Sequence, residues 1–168
     1  MQQNDSPYKI IAVNPGSRYL AIAVFDSAKL SEWRLKNMHG EVAKHKLVKA
    51  KKILAAFVER YSPNILVIKK LHPARSSAML QAMAIGIIAY CRRQGMSVFS
   101  YSIQDLKSAL AGSVKINKRE LSKILAGEYP ELSNELKREQ RNRNSYFTRL
   151  FEAVALGHVC LNAIGNNH

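Results

Sequence analysis

Acidic residues are scarce in this chain. Its 168 residues hold 12 Asp and Glu against 26 Lys and Arg, a formal net charge of +14. So large an excess favours a polyanionic partner, most simply nucleic acid, because neutralising phosphates releases condensed counterions. Cysteine is nearly absent. Cys91 and Cys160 sit in apolar segments with helical character, which excludes a disulfide framework and reads as buried free thiols in a reducing compartment. His39, His45, His158 and His168 show no metal-ligand spacing with them. The longest apolar run, Ala82 to Cys91, is too short to cross a bilayer, and no basic region followed by an apolar one opens the chain. No membrane association and a cytoplasmic setting are expected. There is no glycine-rich phosphate loop, no Ser-His-Asp arrangement, no setting for a cysteine nucleophile and no internal repeat.

What is present is a series of apolar runs separated by turn residues. Tyr8–Val13 and Tyr19–Phe25 read as strands joined through Asn14-Pro15-Gly16, and Leu30–Met38 alternates as a third. Glu41–Tyr61 has helical spacing. Its apolar stripe is Val42, Leu47, Ile53, Leu54, Phe57 and Val58, and Lys44, Lys46, Lys49, Lys51 and Lys52 surround it. Ser62-Pro63-Asn64 breaks that helix before Ile65–Ile68, an all-apolar run that reads as a buried strand. Arg75–Gln94 returns to helix, Gly95 ends it, and Ser97–Tyr101 is the fifth strand. A short helix is expected from Ser102 or Gln104. Lys115–Leu125 reads as a basic amphipathic helix closed by Gly127 and Tyr129-Pro130. Ser133–Asn144 is polar and highly charged and reads as a loop or lid, and Tyr146–Ile164 as the last helix. The chain length favours one domain, placed at 8–164, with flexible ends at 1–7 and 165–168. Three antiparallel strands followed by two added through helical crossovers predict an α/β fold, a mixed five-stranded sheet flanked by helices.

Four segments, in this order, carry a resemblance. They are Ala12-Val-Asn-Pro-Gly-Ser17, Pro63-Asn-Ile-Leu-Val-Ile-Lys-Lys70, Ser113-Val-Lys-Ile-Asn-Lys-Arg-Glu-Leu121 and Phe151-Glu-Ala-Val-Ala-Leu156. Together they resemble the RuvC-like Holliday junction resolvases of the RNase H-like superfamily. The resemblance implies an RNase H-like fold. It also implies a site where carboxylates at the ends of the first and fourth strands and on the last helix hold divalent metal. Such cations want oxygen ligands on either side of a phosphodiester. Here Asn14 stands at the first position, Lys69 at the second with Lys70 beside it, and Glu152 at the third. Members of the family often add an acid one turn earlier, where this chain has Thr148 and Arg149. Asn14, Lys69 and Glu152 sum to a formal charge of zero, where three carboxylates would give −3. The expectation is therefore a degenerate metal site, no metal and no cofactor, with Mg²⁺ only if cleavage is retained.

Each residue also has a plainer reading. Asn14-Pro15-Gly16 makes a good turn in any protein. Lys69-Lys70 suits a solvated strand end. Lys115, Lys118, Arg119 and Lys123 suit the wet face of a helix, although the overall charge and the resemblance make them, with Lys70, the candidate nucleic-acid contacts. His72, before Pro73, reads first as structural and Trp33 as packing. Glu152 lies among Leu150, Phe151, Ala153, Val154 and Ala155, so it must be paired or face a cleft. An ammonium from Lys69 or Lys70 is expected to reach Glu152 or Asn14. The expected function is binding of nucleic acid, branched DNA in particular, by a catalytically impaired relative of the resolvases, in the form of a homodimer. Two alternatives stand beside it. One is an active metal-dependent endonuclease using Asn14, Glu152 and a further acid. The other is a protein-interaction subunit of a nucleoprotein complex.

Overall fold

The structure is a computed structural model and describes residues 7–40, 42–113, 115–141 and 146–166. Five strands form one sheet in the order β3-β2-β1-β4-β5. β1 (Lys9–Asn14), β2 (Tyr19–Asp26) and β3 (Lys29–Asn37) are antiparallel neighbours. β4 (Ile65–Lys69) pairs parallel with β1, and β5 (Ser97–Tyr101) parallel with β4. α1 (Ala43–Tyr61) and α2 (Ala78–Arg93) make the two crossovers. After β5 come α3 (Ile103–Ala111), α4 (Lys118–Glu128), a 3-10 turn at Pro130–Leu132, α5 (Ser133–Arg141) and α6 (Tyr146–Gly165). This is the mixed, helix-flanked sheet expected from the sequence.

The central strands are apolar between their end residues because both faces are covered. Ile10, Ala12, Ala21, Ala23 and Phe25 face one way, against Leu106, Leu121, Leu125 and the length of α6. Ile11, Val13, Leu20, Ile22 and Val24 face the other way, against Ala50, Leu54, Phe57, Met83 and Ile87 of α1 and α2. Alternate residues of a strand point to opposite faces, so a strand between two helical layers loses its polar half. Cys91 and Cys160 belong to opposite layers and are free thiols, each pushed up to about 11 by burial. Asn64 ties one end of the sheet together. Its side chain accepts from the Lys9 amide and donates to the Pro7 carbonyl, while its own carbonyl accepts from Ser97. This fixes the register that carries the other ends of β1 and β4 to the same level.

Several boundaries differ from the sequence reading. Val42 is not part of the buried stripe of α1; it lies at the N-cap and is 54% exposed. α2 starts at Ala78, not Arg75, because Ser77 caps it by accepting from the Leu80 amide. α4 starts at Lys118, not Lys115, behind a capping box of Asn117 and Glu120, and Gly127 lies inside it. Ser133–Arg141, expected as a loop or lid, is the helix α5. Leu136 packs half-buried against the core on the α6 side, and polar contacts add to it. Trp33 Nε1 donates to Glu135 Oε1 at 3.2 Å, and Ser122 Oγ donates to Glu139 Oε1 at 3.0 Å. Residues 142–144 of that segment, and of the expected flexible termini all but Pro7, Gly165 and Asn166, lie outside the described residues. α6 also exceeds the apolar run singled out above. Over Phe147–Gly165 it has the length and mean hydropathy, 1.2, of a membrane-crossing helix. Here it packs across β1 and β2, and at Gly157 it comes so near that a Cβ would collide with the Phe25 ring.

Candidate nucleic-acid interface

Asn14 is the last residue of β1 and is fully buried. Its Nδ2 donates to Glu152 Oε2 at 2.9 Å and to the Arg149 carbonyl at 3.1 Å. Both partners are pure acceptors, which fixes the amide with its nitrogen toward them. Its Oδ1 has no partner among the described residues. Lys69 ends β4, one strand away, and its Nζ lies 2.7 Å from Glu152 Oε2. Lys118 opens α4, and its Nζ lies 2.9 Å from Glu152 Oε1. The structure thus brings Asn14, Lys69 and Glu152 together, and adds Lys118 to them.

Glu152 is 2% exposed. Burial pushes its carboxyl pKa up, but the charges of Lys69 and Lys118 and the hydrogen bonds they donate outweigh this, and the net result lies below the usual carboxylate value. The buried side chain is therefore an anion, clasped by two ammonium groups and one amide. Arg149, one turn earlier on α6, lays its guanidinium against Gly16, where a Cβ would collide with it and would sit 2.6 Å from the Tyr19 carbonyl. Only a glycine leaves room for that approach. The Asn-Pro-Gly turn thus has a second task besides reversing the chain.

Above this cluster opens a cleft of about 480 Å³. Lys69, Lys70, Arg75, Lys118 and Arg149 line it, with Leu71, Pro73, Leu80 and Ile103 as apolar wall. No Asp or Glu is among the lining residues. Of the five lysines and arginines singled out from the sequence, Lys70 and Lys118 reach this cleft. Lys115, Arg119 and Lys123 do not. Lys115 precedes α4, Arg119 directs its charge toward Glu139, and Lys123 is on the exposed side of the helix. Arg75 and Arg149 line the cleft as well, beyond the contacts expected from the sequence. The signal for Arg149 was its place three residues before Glu152, which puts both on one face of a helix. His72 lines the cleft as a turn residue, its Nδ1 accepting from the Ala74 amide at 3.2 Å. Among the described residues, no cluster of three or more His, Cys, Asp or Glu side chains is placed to hold a metal ion. The oxygen ligands at the cleft floor are Asn14 Oδ1 and the two Glu152 oxygens, and the latter already face ammonium groups.

A five-stranded mixed sheet in this order, with its candidate residues at the parallel ends of β1 and β4, defines an RNase H-like domain. The family model described as crossover junction endodeoxyribonuclease RuvC matches residues 10–132, and the chain belongs to that family. No curated protein sequence matches it. Among solved structures, Thermus thermophilus RuvC superposes with a TM-score of 0.71 at 18% identity, covering 94% of this chain and 96% of that one. The same values hold for T. thermophilus RuvC in complex with Holliday junction substrate. The yeast mitochondrial Holliday junction resolvase Ydc2 gives 0.65 at 10% identity, over 96% of this chain and 81% of its own. Fowlpox virus resolvase, in complex with substrate Holliday junction DNA, gives 0.61 at 15% identity, over 93% and 98%. At such identities the likeness establishes the RNase H-like fold. The family match ends before α6, so Arg149 and Glu152 lie outside it.

Proposed function

We propose that this protein binds branched DNA through the cationic cleft and does not cut it by a metal-dependent route. The observation that carries the reading is the clasp on Glu152, whose two oxygens face the ammonium groups of Lys69 and Lys118 while Asn14 donates to one of them. The donor set does not fit a pair of divalent cations. Two ammonium groups, Lys69 and Lys118, face a single carboxylate, and the Arg149 guanidinium lines the same cleft. At about 4 Å and an effective dielectric near 20, each ammonium opposes a dication by on the order of several kcal/mol. A phosphate is favoured where a metal is opposed.

DNA as the phosphate source rests on family membership and on relatives whose structures hold Holliday junction DNA. A pair of chains would present two such clefts to one junction, and a homodimer in the cytoplasm is part of the same reading. The test uses purified protein with junction, duplex and single-stranded DNA of matched sequence, with and without Mg²⁺ or Mn²⁺. Junction binding that needs no metal, falls steeply with salt and yields no cleavage is expected. Metal-dependent cleavage abolished by Glu152→Gln would overturn the reading. Equal affinity for all three substrates would remove the junction from it. Negligible DNA binding at physiological salt would leave the interaction-subunit alternative.

A further inference from the structure

We propose that the cleft seats a terminal phosphate, the phosphomonoester at a DNA strand end, in preference to an internal phosphodiester. The inference rests on the DNA-binding reading and specifies which group of the DNA fills the cleft. Charge is the first argument. Five cations, Lys69, Lys70, Arg75, Lys118 and Arg149, stand over one carboxylate, Glu152, which leaves four in excess. An internal diester brings one negative charge. A monoester, whose second ionisation lies near 6, brings nearly two at neutral pH.

Helix ends reinforce this. α2, α3 and α4 all begin at the cleft, where Ser76, Ile103 and Lys118 line it. The unsatisfied first-turn amides of each favour an anion. Ser77, Ser102 and Asn117 take up one amide apiece as caps, and Asp105 and Glu120 reduce the field of α3 and α4, so the helix ends assist the cations without replacing them.

The independent observation is Asn14 Oδ1, an acceptor with no partner among the described residues, on a fully buried residue at the cleft floor. It needs a hydrogen-bond donor. A diester phosphate has acceptors only, whereas the third oxygen of a monoester is either a second negative charge for the cations or, when protonated, an O–H for Asn14. Both states use something the site offers and a diester cannot. The cleft volume, about 480 Å³, is that of a small-ligand pocket, and Leu71, Leu80 and Ile103 give one sugar and base an apolar wall.

The experiment is fluorescence anisotropy with the full chain and a labelled flap duplex of one sequence. The flap end carries a 5′-phosphate, a 3′-phosphate or a hydroxyl. An intact four-way junction is measured alongside. A phosphorylated end, of one polarity or both, is expected to bind at least tenfold more tightly than the hydroxyl end. That gain should vanish in Arg149→Gln and in Lys70→Gln, each checked for folding by circular dichroism. It should persist in Lys29→Gln, at the far end of β3, which separates a seated phosphate from general attraction to added charge. Equal affinity for phosphate and hydroxyl ends overturns the inference, as does a gain lost equally in Lys29→Gln. The two readings fail separately. A junction preference with indifferent ends leaves the proposed function standing and removes this one, and an end preference without junction preference does the reverse.

Discussion

Glu152 and Glu139 are both buried, 2% and 3% exposed, and both lie on helices packed beside α4. Their chemistry diverges. Glu152 is held by two ammonium groups, and its pKa lies below the usual value despite burial. Burial dominates at Glu139, only partly offset by hydrogen bonds from Ser122 and Thr148 and the charge of Arg119, so its pKa is raised. One of its oxygens has no partner among the described residues. The contrast shows that depth does not decide whether a carboxylate is charged. The number of fixed positive donors in reach does, and that number is two on the cleft side and none in direct contact on the α5 side.

The largest expected effect removes both donors from Glu152. Lys69→Met with Lys118→Met leaves a buried carboxylate with one amide donor, and breaking such a pair costs about 3–5 kcal/mol. Urea unfolding at pH 7 should show the loss, while at pH 4 the same variant should come closer to the wild type because the acid can protonate. A loss below about 1 kcal/mol would mean that water reaches Glu152 and that the two acids do not differ in kind.

Asn14→Asp should rank next. It replaces a donor to Glu152 Oε2 and to the Arg149 carbonyl with an acceptor facing two acceptors, at about 2 kcal/mol. The Glu152 pKa should rise, which a carboxyl-observed NMR titration would show. An unchanged titration would mean that the lysines alone set it.

The acid side of the comparison is a matter of sign. Glu152 has a folded pKa below the reference value of 4.5. Its contribution is therefore complete above that value and is lost as pH falls through the folded pKa. Glu139 has a folded pKa above the same reference. Its contribution is complete below 4.5 and is lost as pH rises through the folded pKa. Acidifying from neutrality should thus first stabilise the α5 side and then destabilise the cleft. Glu139→Gln should remove the first phase and stabilise the protein by about 1 kcal/mol at pH 7, with no gain at pH 4. Thermal unfolding across pH 3–8 checks this, and a destabilised variant at pH 7 would show Glu139 to be usefully charged. Ser122→Ala, the smallest change, should cost about 0.5–1 kcal/mol and raise the Glu139 pKa further.

The same contrast explains what could be read from the sequence. β1, β2 and β4 were legible because both faces are covered and every residue between their ends is apolar. Glu152 was legible as an anomaly, an acid amid Phe151, Ala153, Val154 and Ala155. α5 was not, because Leu136 is its one apolar residue on the core and its other contacts run through Glu135 and Glu139, so no apolar periodicity marks it. Lys118 was legible as a cation near the site, but nothing in its spacing distinguished an ion pair to Glu152 from the open exposure of Lys123. Arg75 escaped because it belongs to the turn His72–Ser76, not to the helix expected there. α2 and α4 start three residues later than their hydrophobic pattern suggests, because the capping side chains of Ser77 and Asn117 set the first turn.

The mutual grip of Asn14, Arg149 and Glu152 also constrains the sequence through time. An acid introduced alone at Asn14 faces Glu152 and a carbonyl. One introduced alone at Lys69 takes away an ammonium and adds a like charge. One introduced alone at Arg149 adds a second carboxylate one turn from Glu152 and removes the guanidinium that Gly16 accommodates. Each step toward an acidic cleft is opposed unless the others have already been taken. The cluster therefore behaves as an epistatic ratchet: once Asn14, Lys69 and Arg149 are in place, single substitutions toward acids have no downhill route.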